Sequence, residues 1–540
     1  MPPTVALAVL ASGLACLAVG WFGARYHYVG LASSSTASAA SWASNGISES
    51  SSGSLFKVTK VRSYRGPVLY AAWTPAQRPI PKPVHGGRTC RNWAVTTSIF
   101  APTTTVRQLA ALPQWCVVVA GDRKGPKRHE YNVSNVVYLT PEDQEALPFA
   151  SRRHLRWNHF GRKNLGFLYA VAHGARWVYD TDDDNELQRP TAANPIPLPR
   201  ASVLLDEVAS TRPLVNLYPQ ASDAPASWPR GFPLEAIKDN RTRDLPLRRN
   251  AWPFRRVGVL QSLADHDPDV DGIYRLTQPK LPFTFPHRRH RGGVLFAGAP
   301  PRGIPRRGIG AANKAAAKAQ HLAELEDKMH AGRRLQGQAT AAKRHNQRSV
   351  FQPTMRHPTN RMPFPAAAAA KLGQSAPLRA GSGAVAVTLR EGSMMPYNAQ
   401  ATLHTYDALW SLLLPITVHG RVTDIWRAYF AQRLMWDVGL RLAFAWPWVT
   451  QYRNVHNLLG DFNSEVPLYQ QSGALVAYLL EWKPQAASLP GRLEELYIRM
   501  YEANIVGEKD VALAQAWLAD LISLGYRFPT ITAGGNAARG

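Results

Sequence analysis

Between Asn92 and Asn185, short β-branched apolar runs alternate with helix-like stretches, and the last run ends in four aspartates within five positions. No other feature of the chain constrains the fold as much. NWAVTTSIF (Asn92–Phe100), WCVVVAGD (Trp115–Asp122) and NVVYLT (Asn135–Thr140) each read as a buried strand bounded by turn residues. Thr103 to Leu112 carries a helix pattern, with Thr available as cap and Pro113 as stop. Gly161 to Ala175 places Leu165, Leu168, Tyr169 and Ala172 at helical spacing and leads into a fourth strand, ARWVYDTDDDN. Such alternation implies an α/β, Rossmann-like domain with a mostly parallel sheet covered on both faces. Ligands of open α/β sheets bind beyond the carboxyl ends of strands. Asp122 and the cluster Asp180, Asp182, Asp183 and Asp184 fall at such ends.

Crowded carboxylates repel one another unless a cation sits among them. Mg²⁺ and Mn²⁺ prefer oxygen ligands and commonly bridge one or two carboxylates to substrate phosphates. A hydrophobic strand followed by Asp-x-Asp is therefore the chemistry expected for a nucleoside-diphosphate sugar, whose leaving group the metal would neutralise. The rival readings are a solvated acidic turn or a structural calcium site. A phosphatase-type Asp nucleophile would want Thr or Val where this chain has Asp184.

The chain has 540 residues, 45% of them hydrophobic, enough for a substantial core, and a net charge of +26. More than half of that charge lies between His287 and Ala380, in Arg-, Ala- and Pro-rich sequence such as RRHRGG and FPAAAAAK. This insert reads as disordered, and binds a polyanion or merely solvates a loop. It lacks the interleaved aromatics of a single-strand platform, so no nucleic-acid partner is expected. Thr4 to Ala24 is uncharged and apolar, and reads as a membrane anchor or, in competition, a cleaved signal peptide. Residues 25–89 read as a stem or linker, and their Ser/Ala/Gly-rich portion from Ser33 to Ser54 as a flexible tether. The expected organisation is an anchor over 1–24, the stem over 25–89, a nucleotide-sugar domain over 90–285, the insert over 286–385 and a mainly helical second part over 386–540. Helical periodicity runs from Gly473 to Tyr526. Cys90 and Cys116 either bridge in an oxidising lumen or leave a buried thiol in the second strand. Sequons at Asn132 and Asn240 are compatible with glycosylation.

The blocks NWAVTTSIFAPT, LPQWCVVVAGD, RWNHFGRKNLGFLYAVAHGARWVYDTDDDN, WPRGFPL, HDPDVDGIYRLT, MPYNAQATLHTYDALWSLLLPITVHGRVTDIWRAYFAQRLMW and QYRNVHNLLGDFNSE resemble the STELLO family of Golgi glycosyltransferases. The similarity covers roughly 90–284 and 394–482. It implies a GT-A-like fold and a single-pass type II protein of the Golgi membrane with its body in the lumen. Donor, glycan or glycoprotein acceptor, and association with polysaccharide-synthase complexes follow as expectations, as does the alternative of a non-catalytic scaffold for such complexes. Two departures stand out. The basic insert is foreign to the pattern, and almost no cytosolic tail precedes Thr4.

Roles are expected as follows. Asp182 and Asp184 point the same way from an extended segment and contact the metal, unless a turn within the cluster changes the register, which keeps all four aspartates as candidates. Asp180 shares that direction from deeper in the strand, Asp183 faces the opposite side, and Asn185 closes the turn. Arg162, Lys163 and Asn164 open a helix that favours a phosphate. Asp122 resembles the nucleobase-binding carboxylate of this fold or caps a turn, and Thr96 and Thr97 belong to the core or touch the nucleoside. Asp424, near the expected start of a helix, is an N-cap or the base that deprotonates the acceptor. His456 is a candidate for metal or diphosphate, while His404 packs against Tyr406 and Trp410. The alternating Asp267, Asp269 and Asp271 suit an exposed acceptor-side or structural loop leading into a strand at GIYRL.

Overall fold

The computed structural model describes residues 58–70, 90–192, 195–199, 203–243, 245–278, 281, 283–285, 386–453 and 457–532. The anchor at Thr4–Ala24, the Ser-rich tether, the basic insert and His456 lie outside the described residues. Among the described residues no helix is long and apolar enough to cross a membrane.

The first half follows its apolar runs. β1 (Asn92–Thr97), α1 (Thr104–Ala110), β2 (Trp115–Ala120), β3 (Val136–Leu139), α2 (Pro141–Ala146), α3 (Lys163–Ala172) and β4 (Trp177–Thr181) appear in that order. β1 pairs parallel with both β2 and β4, and β2 pairs parallel with β3, giving the order β3-β2-β1-β4. Thr103 caps α1 by accepting from the Val106 amide, and Thr140 caps α2 in the same way from Asp143. α3 lies close against β1 because residue 166 is glycine; a Cβ there would stand 2.8 Å from the Val95 Cγ1. A disulfide joins Cys90 to Cys116 across a Cα–Cα distance of 6.1 Å, tying the entry of β1 to β2.

Beyond β4 the sheet departs from the expected pattern. β5 (Asn185–Leu187), β6 (Leu204–Val208), β7 (Leu247–Pro253) and β8 (Val257–His266) follow, then α4 (Gly272–Thr277). After the insert come β9 (Ala386–Thr388), β10 (Ala401–Thr405), α5 (Gly420–Asp437) and β11 (Arg441–Gln451). The full order is β3-β2-β1-β4-β10-β8-β11-β9-β6-β7, with β5 pairing on β11. Because β10 enters antiparallel between β4 and β8, the sheet is mixed; it is parallel throughout only across the first four strands. GIYRLT is likewise a helix, not a strand, with Asp271 capping α4 by accepting from the Tyr274 amide.

α6 (Leu458–Ser464), α7 (Val466–Glu481), α8 (Leu489–Glu502) and α9 (Glu508–Ser523) complete the molecule. α5 is buried at every position from Val422 to Asp437, so its polar residues must find partners inside. Arg433 does so by donating to Asp437 at 3.0 Å and to the Leu479 and Trp482 carbonyls. Polar side chains also stitch the two halves together. Asn164 exchanges two 2.9 Å bonds with the Leu414 backbone, and Asp520 accepts from the Ala150 and Ser151 amides.

Residues 58–70 are held against α8 and α9. Arg62 donates to the carbonyls of Tyr501 and Val506 and lies 3.8 Å from the Tyr501 ring centroid. Glu502 receives the Tyr64 amide and pairs with Lys60, while Gln515 donates to the Pro67 carbonyl. Arg62→Ala should therefore lower stability by about 1–3 kcal/mol, from the lost hydrogen bonds and ring contact. Chemical denaturation of the two proteins measures this; an unchanged midpoint would mean that the segment rests on the helices without stabilising them.

Candidate functional site

Strand ends and loop residues from both halves of the sequence meet in one polar cavity of about 170 Å³. Asp182 and Asp184 enter from the end of β4, Asn398 and Gln400 from the segment before β10, and Gln451 and Arg453 from the end of β11. Asp269 arrives after β8, Arg421 and Asp424 from α5, and Arg230 from a turn. Register explains the meeting: Thr402 lies opposite Asp180 on β10, and β8 and β11 run parallel to end together.

β4 stops at Thr181 and Asp183 and Asp184 lie in a turn, not in an extended run, yet the four aspartates still divide. Asp183 turns away, accepting from Ser98 Oγ at 2.5 Å, while its carbonyl accepts from Thr103. Asp180 points the other way but is fully buried, with Lys163 Nζ and Arg427 Nη1 each 2.6 Å from its carboxylate. Lys163 also donates to the Thr181 carbonyl at 2.7 Å and reaches Asp182 at 3.5 Å. Asp182 and Asp184 remain for the cavity, the latter contacted by Gln451 at 3.3 Å.

Burial pushes the Asp182 carboxyl up to about 7; Lys163 opposes the rise, and Asp184, Asp180 and Asp424 reinforce it. Its side chain keeps 39% exposure through the cavity mouth, so solvent tempers that desolvation. Burial also carries Asp184 up to about 6, against the Gln451 hydrogen bond and with help from Asp183. Two acids held this way resist carrying two negative charges together without a further cation.

The other expected site residues sit apart from this cavity or have fixed partners. Arg162 stacks 3.6 Å from the Trp157 ring centroid and donates to Gln144, and burial brings its pKa down to about 10. Asn164 is spent on Leu414. Asp122 closes a turn by accepting from the Arg123 and Asn158 amides. Thr96 is buried and donates to the neighbouring Thr97 carbonyl, and Thr97 is half-buried at the end of β1. Asn185 is buried and donates to Asp184, whereas the sequon residues Asn132 and Asn240 are exposed.

α5 begins at Gly420 with His419 as its cap, so Asp424 lies in the second turn and caps nothing. Its carboxylate instead accepts from Arg230 at 2.8 Å and from the Ala399 amide at 3.1 Å. His404 is buried, with its ring against Tyr397 and its Nδ1 3.2 Å from Ser411 Oγ. The HDPDVD loop is largely buried as well. Asp269 accepts twice from Arg230 Nε, at 2.8 and 3.0 Å, and from Asn398 at 2.7 Å. Burial alone would raise the Asp269 carboxyl, but the Arg230 charge and hydrogen bonds hold it well below the usual range.

Arg230, Arg427 and Arg453 escape the sequence reading. Isolated arginines carry no spacing signal; the one hint is an arginine set among Trp228, Pro229, Gly231 and Phe232, where solvation would not be expected. Among the described residues no three His, Cys, Asp or Glu side chains converge as a ready-made metal cage. Asp182 and Asp184 nonetheless form a hard, oxygen-only donor pair, which suits a cation completed by water and ligand phosphates.

A mixed α/β sheet with a charged cavity at its strand ends defines the class: an open-sheet protein, of the kind in which ligands bind at strand carboxyl ends. The comparisons bear out the resemblance to the STELLO family. A profile of the family described as STELLO glycosyltransferases matches residues 421–538, which include Asp424, Arg427 and Arg453. The chain is 24% identical over 452 residues to the Arabidopsis thaliana protein named probable glycosyltransferase STELLO2, covering 81% of this chain and 46% of that one. With probable glycosyltransferase STELLO1 of the same plant it is 22% identical over 448 residues, covering 81% and 45%. The chain thus spans somewhat less than half the length of these relatives.

The geometry separates a buried, ion-paired aspartate from two that face the cavity. Asp180→Asn leaves two buried cations without their counter-ion and should cost about 3–5 kcal/mol. For Asp182 and Asp184 the sign is opposite. Their pKa values are raised in the fold, so the cost of ionising them grows above about pH 4 and is complete above about pH 7. Asp182→Asn and Asp184→Asn should therefore leave stability at pH 7.5 unchanged or slightly higher. Denaturant midpoints of the three variants check this, and a large loss at Asp182 or Asp184 would place them in the structural set.

Proposed function

We propose that the chain is a metal-dependent glycosyltransferase that uses a nucleoside-diphosphate sugar. The carrying observation is the Asp182–Asp184 pair: two partly buried carboxylates facing one cavity at the end of β4, their charge poorly matched by the protein's own cations. The family of its relatives supports the same reading.

In this proposal Asp182 and Asp184 would hold Mn²⁺ or Mg²⁺ together with water and the diphosphate. When bound, such an ion neutralises charge on the departing diphosphate. Lys163 cannot serve as a free phosphate ligand while it is bonded to Asp180; it instead fixes the strand end from which Asp182 projects. Arg230 and the Ala399 amide fix the direction of the Asp424 carboxylate, which we assign to accept the proton of the acceptor hydroxyl. The acceptor is a glycan or glycoprotein, and action beside polysaccharide-synthase complexes belongs to the same proposal. So do the Golgi membrane and the anchor at Thr4–Ala24. The Cys90–Cys116 disulfide supports an oxidising compartment, and the exposed Asn132 and Asn240 are open to glycosylation there.

Calorimetric titration with a panel of nucleotide sugars, with and without Mn²⁺, tests the proposal. Wild type should bind one donor in a metal-dependent way. Asp182→Asn and Asp184→Asn should each weaken it by about tenfold or more, about 1.4 kcal/mol. Equal binding by wild type and both variants would remove the cluster from the site. A wild type that binds no nucleotide sugar under any metal condition would leave the fold as a scaffold.

A further inference from the structure

The three arginines that line the cavity are not equivalent. Arg230 is committed to Asp269 and Asp424 through Nε, Nη1 and Nη2, and also donates to the Arg421 carbonyl. Arg421 is committed to Glu465, with Asp461 at 3.5 Å. Arg453 differs. Its side chain is only 10% exposed, its Nη2 lies at a long 3.5 Å from Asp269, and its Nη1 is buried with no hydrogen-bond partner among the described residues. A buried, charged donor left unmade is costly. Other arginines, Arg162 and Arg427 among them, also bury a nitrogen without a hydrogen-bond partner, but away from the cavity wall; on that wall, among the described residues, Arg453 is the arginine that does so without a short ion pair.

The position of Arg453 says what that use is. It follows Gln451 by two residues at the end of β11, on the cavity wall where its charge acts on Asp184. One small cavity thus has a carboxylate pole, Asp182 and Asp184, and a guanidinium pole with a donor to spare. A ligand matched to both poles carries a cation and an oxyanion side by side. A diphosphate chelating a divalent ion has that arrangement, and a guanidinium fork matches the geometry of phosphate oxygens. At about 170 Å³ the cavity is smaller than the roughly 300–1,000 Å³ of pockets that enclose a whole ligand. It suits the charged centre of such a molecule, with sugar and nucleoside extending beyond.

We propose that Arg453 is a diphosphate-binding residue, donating through its free Nη1 to a non-bridging phosphate oxygen of a ligand whose cation rests on Asp182 and Asp184. This rests on the nucleotide-sugar reading and goes beyond it. It moves phosphate recognition from the helix start at Arg162–Asn164, none of whose side chains lines the cavity, to a strand end in the second half of the chain.

The test is calorimetry on the full chain with two probes, inorganic pyrophosphate plus Mn²⁺ and uridine or guanosine diphosphate plus Mn²⁺. Wild type, Arg453→Gln, Arg453→Lys and Asp182→Asn are compared, with melting temperatures alongside. Arg453→Gln should weaken both probes by about tenfold or more, and Arg453→Lys should recover part of the loss as a point charge without the fork. Both should melt close to wild type, because the guanidinium's ion pair with Asp269 is a long one of 3.5 Å and Asp269 stays paired with Arg230. Should Arg453→Gln melt far lower, Arg453→Lys decides, and affinity undiminished by that change counts against the fork. Equal affinity in wild type and Arg453→Gln, with Asp182→Asn still weakened, overturns the subsite and leaves the nucleotide-sugar reading standing. A wild type that binds neither probe overturns both. Arg453-dependent binding of a metal-free oligogalacturonide, but not of the diphosphates, would reassign the subsite to an acceptor carboxylate and equally overturn the proposal.

Discussion

The fold turns on one buried ionic group, the Asp180 carboxylate held between Lys163 and Arg427. Each of the three comes from a different element: the strand β4, the helix α3 packed on the parallel half, and α5 from beyond the insert. An isolated charge at that depth would be prohibitive, and the triad is tolerable only because each member is matched. Its geometric consequence matters more than its net energy. It fixes the end of β4 against α5, so the residues after β4 must project into the space where α5 and β10 begin and β11 ends. Asp182 and Asp184 face a cavity because Asp180 does not.

A second ionic group sets the far wall. Arg230 lies between Asp269 and Asp424, and Asn398 joins Asp269 from the strand entry beside them. Residues separated by nearly two hundred positions are thereby held in one arrangement before any ligand arrives, which is the condition for a preorganised site. The insert between Phe285 and Ala386 interrupts the sequence but not this arrangement. Both flanks return to the same sheet, with β8 on one side and β9 and β10 on the other.

The parallel half of the fold was legible in the sequence, and the mixed half was not. β1, β2 and β4 are covered on both faces, so their runs are apolar throughout and hard to mistake. β10, ATLHT, hides because its buried Thr402 and His404 are polar and find Gln261 and Ser411 only once the chain has folded. β11, RLAFAWPWVTQ, contains Pro447, which reads as a breaker; the strand absorbs it at a register shift between Ala445 and Val449. The site divides in the same way. Asp182 and Asp184 face the cavity and Asp183 does not, the division read from alternation, although the segment is a turn in which Ser98 and Thr103 hold Asp183. That Asp180 would be neutralised, that Arg162 would stack on Trp157, and that Arg230 and Arg453 would reach the cavity all depend on contacts across the chain. No local pattern encodes those.

The central claim is that the cavity beside Asp182 and Asp184 is built to receive a cation together with a nucleotide. The most direct measurement is anomalous diffraction at the manganese edge, from crystals grown with Mn²⁺ and a nucleoside diphosphate. The account predicts one manganese peak within coordination distance of the Asp182 and Asp184 carboxylate oxygens, with diphosphate density on the same ion and none at Asp180. A fully bound nucleotide elsewhere on the sheet, or manganese away from both carboxylates, would contradict it.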